Sequence, residues 1–174
     1  TAGVGATTFL STAIPTSQYF ASWAALIYAG LILFTETEQF RALATSFNAL
    51  EVYTRATVYL LVASIVNSAS TITACVQLDC SDKPQVAYSV SVGPVSMLVC
   101  GVLLYGVGGY RFQVALACFQ IIWWSIALLV QTVVSAVFAF GGNGFFSVWM
   151  GFLLTFALAQ SLIYPASANA MMEV

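Results

Sequence analysis

The chain has 174 residues, of which 61% are apolar and 6% charged, with a net charge of −2 and no histidine. A soluble domain keeps roughly 25% of its residues charged so that its surface stays hydrated; this apolar excess must face lipid instead. The four basic residues are scattered, which excludes the clustered footprint of a nucleic-acid-binding protein or of a polybasic lipid anchor. Without histidine, the commonest general base, metal ligand and haem ligand is missing. The single lysine, Lys83, lies in a polar loop, so no Schiff base forms within a membrane helix.

In chain order, the first apolar run covers about residues 19–34 and ends where Thr35-Glu36-Thr37-Glu38 brings the first charges. Residues 36–52 then place Phe40, Leu43, Phe47 and Leu50 at helical spacing, with Glu38, Arg41 and Glu51 off that stripe. Thr35 and Glu38 fit a capping box, and Glu51 and Arg55, four apart, are spaced to pair. This segment reads as an amphipathic helix on the membrane surface; the competing reading is a loop helix packed on the bundle.

Four more apolar runs follow, at about residues 57–74, 86–107, 114–140 and 145–164. Each approaches the ~20 residues that span a hydrocarbon core of ~30 Å. Backbone groups in lipid must pair within their own segment, so helix is the expected form. The fold class is therefore all-α: a polytopic transmembrane bundle of five spans and one interfacial helix, forming a single domain. Pro94 falls inside the third span and should kink it or widen a turn. Gly108-Gly109-Tyr110-Arg111 and Gly141-Gly142-Asn143-Gly144 are tight turns that make the last three spans antiparallel neighbours. The first residues, Thr1 to Ser17, carry neither Met nor a basic region, as in a chain cut from a longer precursor.

Five crossings put Arg41, Arg55 and Arg111 on one side and only Lys83 on the other. The positive-inside rule assigns the arginine side to the cytoplasm or its equivalent, and the N-terminus and the 75–83 loop to the opposite side. Cys75 and Cys80 flank Val-Gln-Leu-Asp in that loop, where oxidising conditions favour a disulfide; the alternative is two free thiols. Cys100 and Cys118 lie inside apolar runs, as small packing residues do.

Tyr19-Phe20-Ala21-Ser22-Trp23 and Phe145-Phe146-Ser147-Val148-Trp149 echo each other at an offset of 126 residues. Either the fifth span begins a second copy of a four-helix repeat, or both stretches, with Trp23 and Trp149, belong to the interfacial aromatic belt.

The polar residues inside the spans are Ser64, Asn67, Ser68, Ser70, Thr71 and Thr73 in the second, Gln120 and Gln131 on one face of the fourth, and Gln160 in the fifth. None is ionisable. Amides and hydroxyls at such depth act as interhelical hydrogen-bond partners or, alternatively, contact a substrate, ion or pigment. Ala21, Ala25 and Ala29, and likewise Ser89, Gly93 and Ser96, form ridges of small residues that let helices approach closely. No nucleophile–base set, phosphate-cradling glycine motif or intramembrane carboxylate pair is present, so no enzymatic activity, metal or cofactor is expected.

The last four spans, from about Glu51 to Val174, form a unit with short turns and a Cys-containing loop after its first helix. This layout resembles MARVEL-type and related tetraspan membrane proteins. The likeness is architectural: the tetraspanin Cys-Cys-Gly loop and the claudin Trp/Cys signature are absent, and the extra first span departs from the plan. The resemblance implies a membrane-organising protein that associates laterally with copies of itself or other subunits. Two further expectations compete with it. One is an accessory subunit of a bioenergetic or photosynthetic complex, in contact with lipid, pigment or quinone. The other is a channel or transporter lined by Asn67, Gln120, Gln131 and Gln160.

Overall fold

The computed structural model describes residues 24–25, 28–29, 32, 37–48, 50–78, 84–134, 138 and 142–163. Within them the chain is almost wholly helical and has no strand. The elements are α1 (Glu38–Asn48), α2 (Val52–Leu78), α3 (Pro84–Leu104), α4 (Tyr110–Leu128, continued by a π-helical stretch at Leu129–Val134) and α5 (Asn143–Ile163). Four helices, α2 to α5, are long and apolar enough to cross a membrane. The protein is thus a multi-pass integral membrane protein of all-α class. Of the expected first span, residues 24, 25, 28, 29 and 32 are described; all are helical and exposed.

The four long helices close into a ring. α2 packs most extensively, against α3 on one side and α5 on the other; α4 lies against α5 and, more lightly, α3. The glycine turns make α3, α4 and α5 sequential neighbours, as expected, but the tightest seams belong to α2. Gly93 explains the α2–α3 seam. A Cβ there would collide with Ser68 Oγ and lie 2.6 Å from the Ser64 carbonyl oxygen, so the two backbones meet where only glycine fits. α4 is the outlying helix, 22% buried over its span against 39% for each of the others.

Gly106 (φ 66°) and Gly108 (φ 87°) adopt left-handed backbone, which lets the chain reverse between α3 and α4 without a Cβ clash. At the other end, Phe138 donates its N–H to the Gln131 carbonyl (3.1 Å), and its ring fills the space over Gly144. α3 continues unbroken through Pro94, whose ring lies on the exposed side. The widened turn falls instead in α4, at Leu129–Val134.

α1 forms where the amphipathic pattern placed a helix, and Phe47 meets Tyr59 of α2 edge-on at 5.4 Å. Thr35 of the expected capping box lies outside the described residues. The expected Glu51–Arg55 side-chain pair is not formed. The Arg55 N–H donates to the Glu51 carbonyl (3.0 Å), and Arg55 Nε is buried without a partner.

Candidate functional site: a polar core shared by four helices

The buried face of α4 runs through Ala117, Gln120, Trp124, Ala127 and Gln131, steps of three and four residues that place them on one side of a helix. This face looks into the ring. Gln120, Trp124 and Gln131 are all 0% exposed, as is Asn67 of α2.

At one level, nearer the Cys75 end of the bundle, the amides meet. Asn67 Nδ2 donates to Gln131 Oε1 (2.9 Å) and, at a longer 3.4 Å, to Ser147 Oγ of α5. Gln131 Nε2 points to the Ser89 carbonyl of α3 (3.4 Å). One residue from each long helix therefore joins this level. The π-helical stretch matters here, because Gln131 is its one buried residue among those described.

At a second level Ser96 of α3 is the centre. Gln120 Nε2 and Trp124 Nε1 both donate to Ser96 Oγ at 3.1 Å, and Gln120 Nε2 also reaches the Ser96 carbonyl at 3.2 Å. Ser64 Oγ lies 2.8 Å from Ser96 Oγ and 2.7 Å from the Leu60 carbonyl. A hydroxyl has one hydrogen and two lone pairs. With both pairs of Ser96 occupied, its hydrogen goes to Ser64, whose own hydrogen goes to Leu60. Gly151 of α5 completes this level, since a Cβ there would collide with the Trp124 ring.

The buried face of α3 accepts bonds along its length. The carbonyls of Ser89, Val92, Ser96 and Leu103 receive Gln131, Trp123 (3.2 Å), Gln120 and Tyr53 (2.9 Å) respectively. Tyr110 of α4 reaches the Leu162 carbonyl of α5 at 3.2 Å. Side-chain donors thus tie neighbouring helices at both ends and in the middle.

Sequence reading placed Asn67, Gln120 and Gln131 together, and the structure brings them to the interior. Gln160 does not join them. It is exposed, because its position on α5 is turned away from the buried line of Ser147, Gly151, Thr155 and Leu158. A lining made of all four residues is therefore not assembled. Most hydroxyls of α2 are also spent locally: Ser68, Ser70, Thr71 and Thr73 each donate to the carbonyl four residues back. Only Ser64 and Asn67 of that run bond to other helices. Trp149 is 41% exposed beside Phe145 and Phe146, as an interfacial aromatic would be; Trp23 lies outside the described residues.

Ser96, Trp124 and Ser147 were missed as network members. The signal for Trp124 was available, since it stands four residues from Gln120 and seven from Gln131. Ser96 appeared only as a small residue that permits close packing; its use as a bond centre depends on what faces it.

Cys75 lies near the end of α2, and Cys80 lies outside the described residues. The free thiols among the described residues are the buried Cys100 and the exposed Cys118. The described residues contain no group of three His, Cys, Asp or Glu able to hold a metal. The network is built from neutral amides, hydroxyls, an indole and carbonyls. Such groups can hold helices together or hold a neutral polar molecule; they offer no strong base. Comparison with protein-family models, with curated proteins and with solved structures finds no match to this chain.

Proposed function

We propose that this chain is a non-enzymatic membrane protein that works by lateral packing, assembling with copies of itself or with other membrane subunits. One observation carries the reading. The amides Asn67, Gln120 and Gln131 are fully buried and bonded across the four-helix ring, so the interior is committed to holding the ring closed. What remains for function is the apolar outer surface, including the weakly buried α4. The tetraspan layout supports the same reading.

The echo at an offset of 126 residues gains support from α5. Ser147, Gly151 and Thr155 form its small-residue face and are buried in the ring. Their counterparts in the first span are Ala21, Ala25 and Ala29, and of these Ala25 and Ala29 are described and exposed. In this reading the first span is a helix of α5 type whose small face takes a helix from another four-helix unit. The aromatic belt remains the competing account of the Tyr19–Trp23 and Phe145–Trp149 match alone. The proposed topology keeps the arginine end cytoplasmic, α1 at that interface, the N-terminus and the 75–83 loop outside, and Cys75 joined to Cys80.

A second reading rests on the α3–α4 seam, where Tyr88 meets Trp123 edge-on at 5.3 Å and Phe119 stacks on it at 5.7 Å. That aromatic strip suits a flat ring, such as a pigment or quinone of a larger complex. Purification from the native membrane in mild detergent, followed by native mass spectrometry, separates the two. A homo-oligomer supports the first reading; co-migration with coloured cofactors or redox subunits supports the second; a monomer alone contradicts both.

A further inference from the structure

Two amide oxygens in the closed interior have no donor among the described residues: Asn67 Oδ1 and Gln120 Oε1. Both residues are 0% exposed. Exchanging the amide nitrogen and oxygen does not cure either. Gln120 Nε2 faces the Ser96 carbonyl, so a flip would set oxygen against oxygen. The Ser89 carbonyl holds Gln131 Nε2, which turns Gln131 Oε1 toward α2; that oxygen in turn holds Asn67 Nδ2. The orientations are locked in sequence, and each lock leaves one acceptor facing no donor. A buried acceptor without a donor is costly, and in hydrocarbon no solvent relieves it.

We propose that each of these two oxygens holds one buried water molecule as a built-in part of the bundle. The surroundings select water over other ligands. An anion would be repelled by the unpaired oxygens, and among the described residues no acidic side chain stands in either level to balance a cation. Water donates to the amide oxygen and accepts or donates once more to a neighbour, and buried waters typically have about three such partners. Ser147 Oγ adjoins Asn67, and the Cys100 thiol lies 3.9 Å from Gln120 Nε2. Each amide thus sits among polar atoms rather than in a wholly apolar core. Waters here would lock the helices in register, since neither can leave without stranding its oxygen.

The test is water-edited solid-state NMR on the full chain in bilayers, reading polarisation transfer from water to side-chain amide nitrogens. Asn48, which is exposed, sets the hydrated reference, and the backbone amide of the fully buried Leu158 sets the dry one. Transfer to Asn67 Nδ2 and Gln120 Nε2 should build up several-fold faster than at Leu158, though slower than at Asn48. Build-up at the Leu158 rate at either side chain overturns the assignment there. A serine hydroxyl could relay the signal, so Ser147→Ala and Ser96→Ala are measured as well. Transfer that persists in these variants supports water on the oxygens; transfer that disappears assigns the signal to the hydroxyls and overturns the proposal.

Discussion

Replacing Asn67 and Gln131 singly and together should show that they act as one unit. Asn67→Leu removes the 2.9 Å bond to Gln131 and the weaker 3.4 Å bond to Ser147, and leaves Gln131 Oε1 without its donor. An interhelical hydrogen bond in a membrane contributes ~0.6 to 2 kcal/mol. A stranded buried acceptor adds a penalty of about 1 to 3 kcal/mol. The single variant should therefore lose about 2 to 5 kcal/mol. Gln131→Leu should cost a similar amount, because it strips Asn67 Nδ2 of its best acceptor and removes the bond to Ser89. In Asn67→Leu/Gln131→Leu neither partner is left to strand the other. The double variant should lose clearly less than the sum, with a coupling of about 1 to 2 kcal/mol. The assay is reversible unfolding in mixed micelles, followed by tryptophan fluorescence. Additive losses, within about 0.5 kcal/mol, would mean that the two amides act independently.

Other expected outcomes follow from the same contacts. Gly93→Ala should destabilise the bundle by about 2 kcal/mol or more through overpacking. Adding Ser68→Ala should restore only part of it, because the Ser64 carbonyl still stands 2.6 Å from the new methyl; full rescue in an unfolding titration would argue against backbone contact. Gln160→Leu should change stability by no more than about 0.5 kcal/mol, since that side chain is exposed. Trp124→Phe keeps a ring over Gly151 but removes the donor to Ser96, at a cost of about 1 kcal/mol in the same titration. Thiol labelling should find Cys75 and Cys80 unreactive until reduction and then accessible from the non-cytoplasmic side; reaction only from the cytoplasmic side would invert the topology.

The positions of the last four spans were legible because length and apolarity alone decide them. Ends were less so: α2 runs from Val52, five residues before its uniformly apolar stretch, because Tyr53 and Arg55 can sit in the first turn of a membrane helix, where their polar tips reach the interface. The interior positions of Gln120 and Gln131 followed from their shared face, whereas Gln160 misled because a lone amide carries no face of its own. Pro94 drew attention to α3, yet the widened turn formed at Leu129–Val134, where no proline or glycine marks it. That distortion accompanies the inward Gln131 and its bonds to α2 and α3. Local pattern could not reveal it. Nor could sequence show that α2 is the most tightly packed helix, since its hydroxyls looked like a polar face until most proved to bond within their own helix.

The proposed division of labour is an interior that seals the bundle and outer faces that assemble it with other proteins. Counting copies by single-molecule photobleaching in native-membrane nanodiscs, for the wild type and for Ala25→Phe, tests it most directly. Wild-type particles should be assemblies that fall to single copies in the variant, or lose another membrane subunit, with α2–α5 as stable as before. Single copies in the wild type with no other subunit bound, together with solute flux in liposomes that Gln131→Leu abolishes, would contradict it.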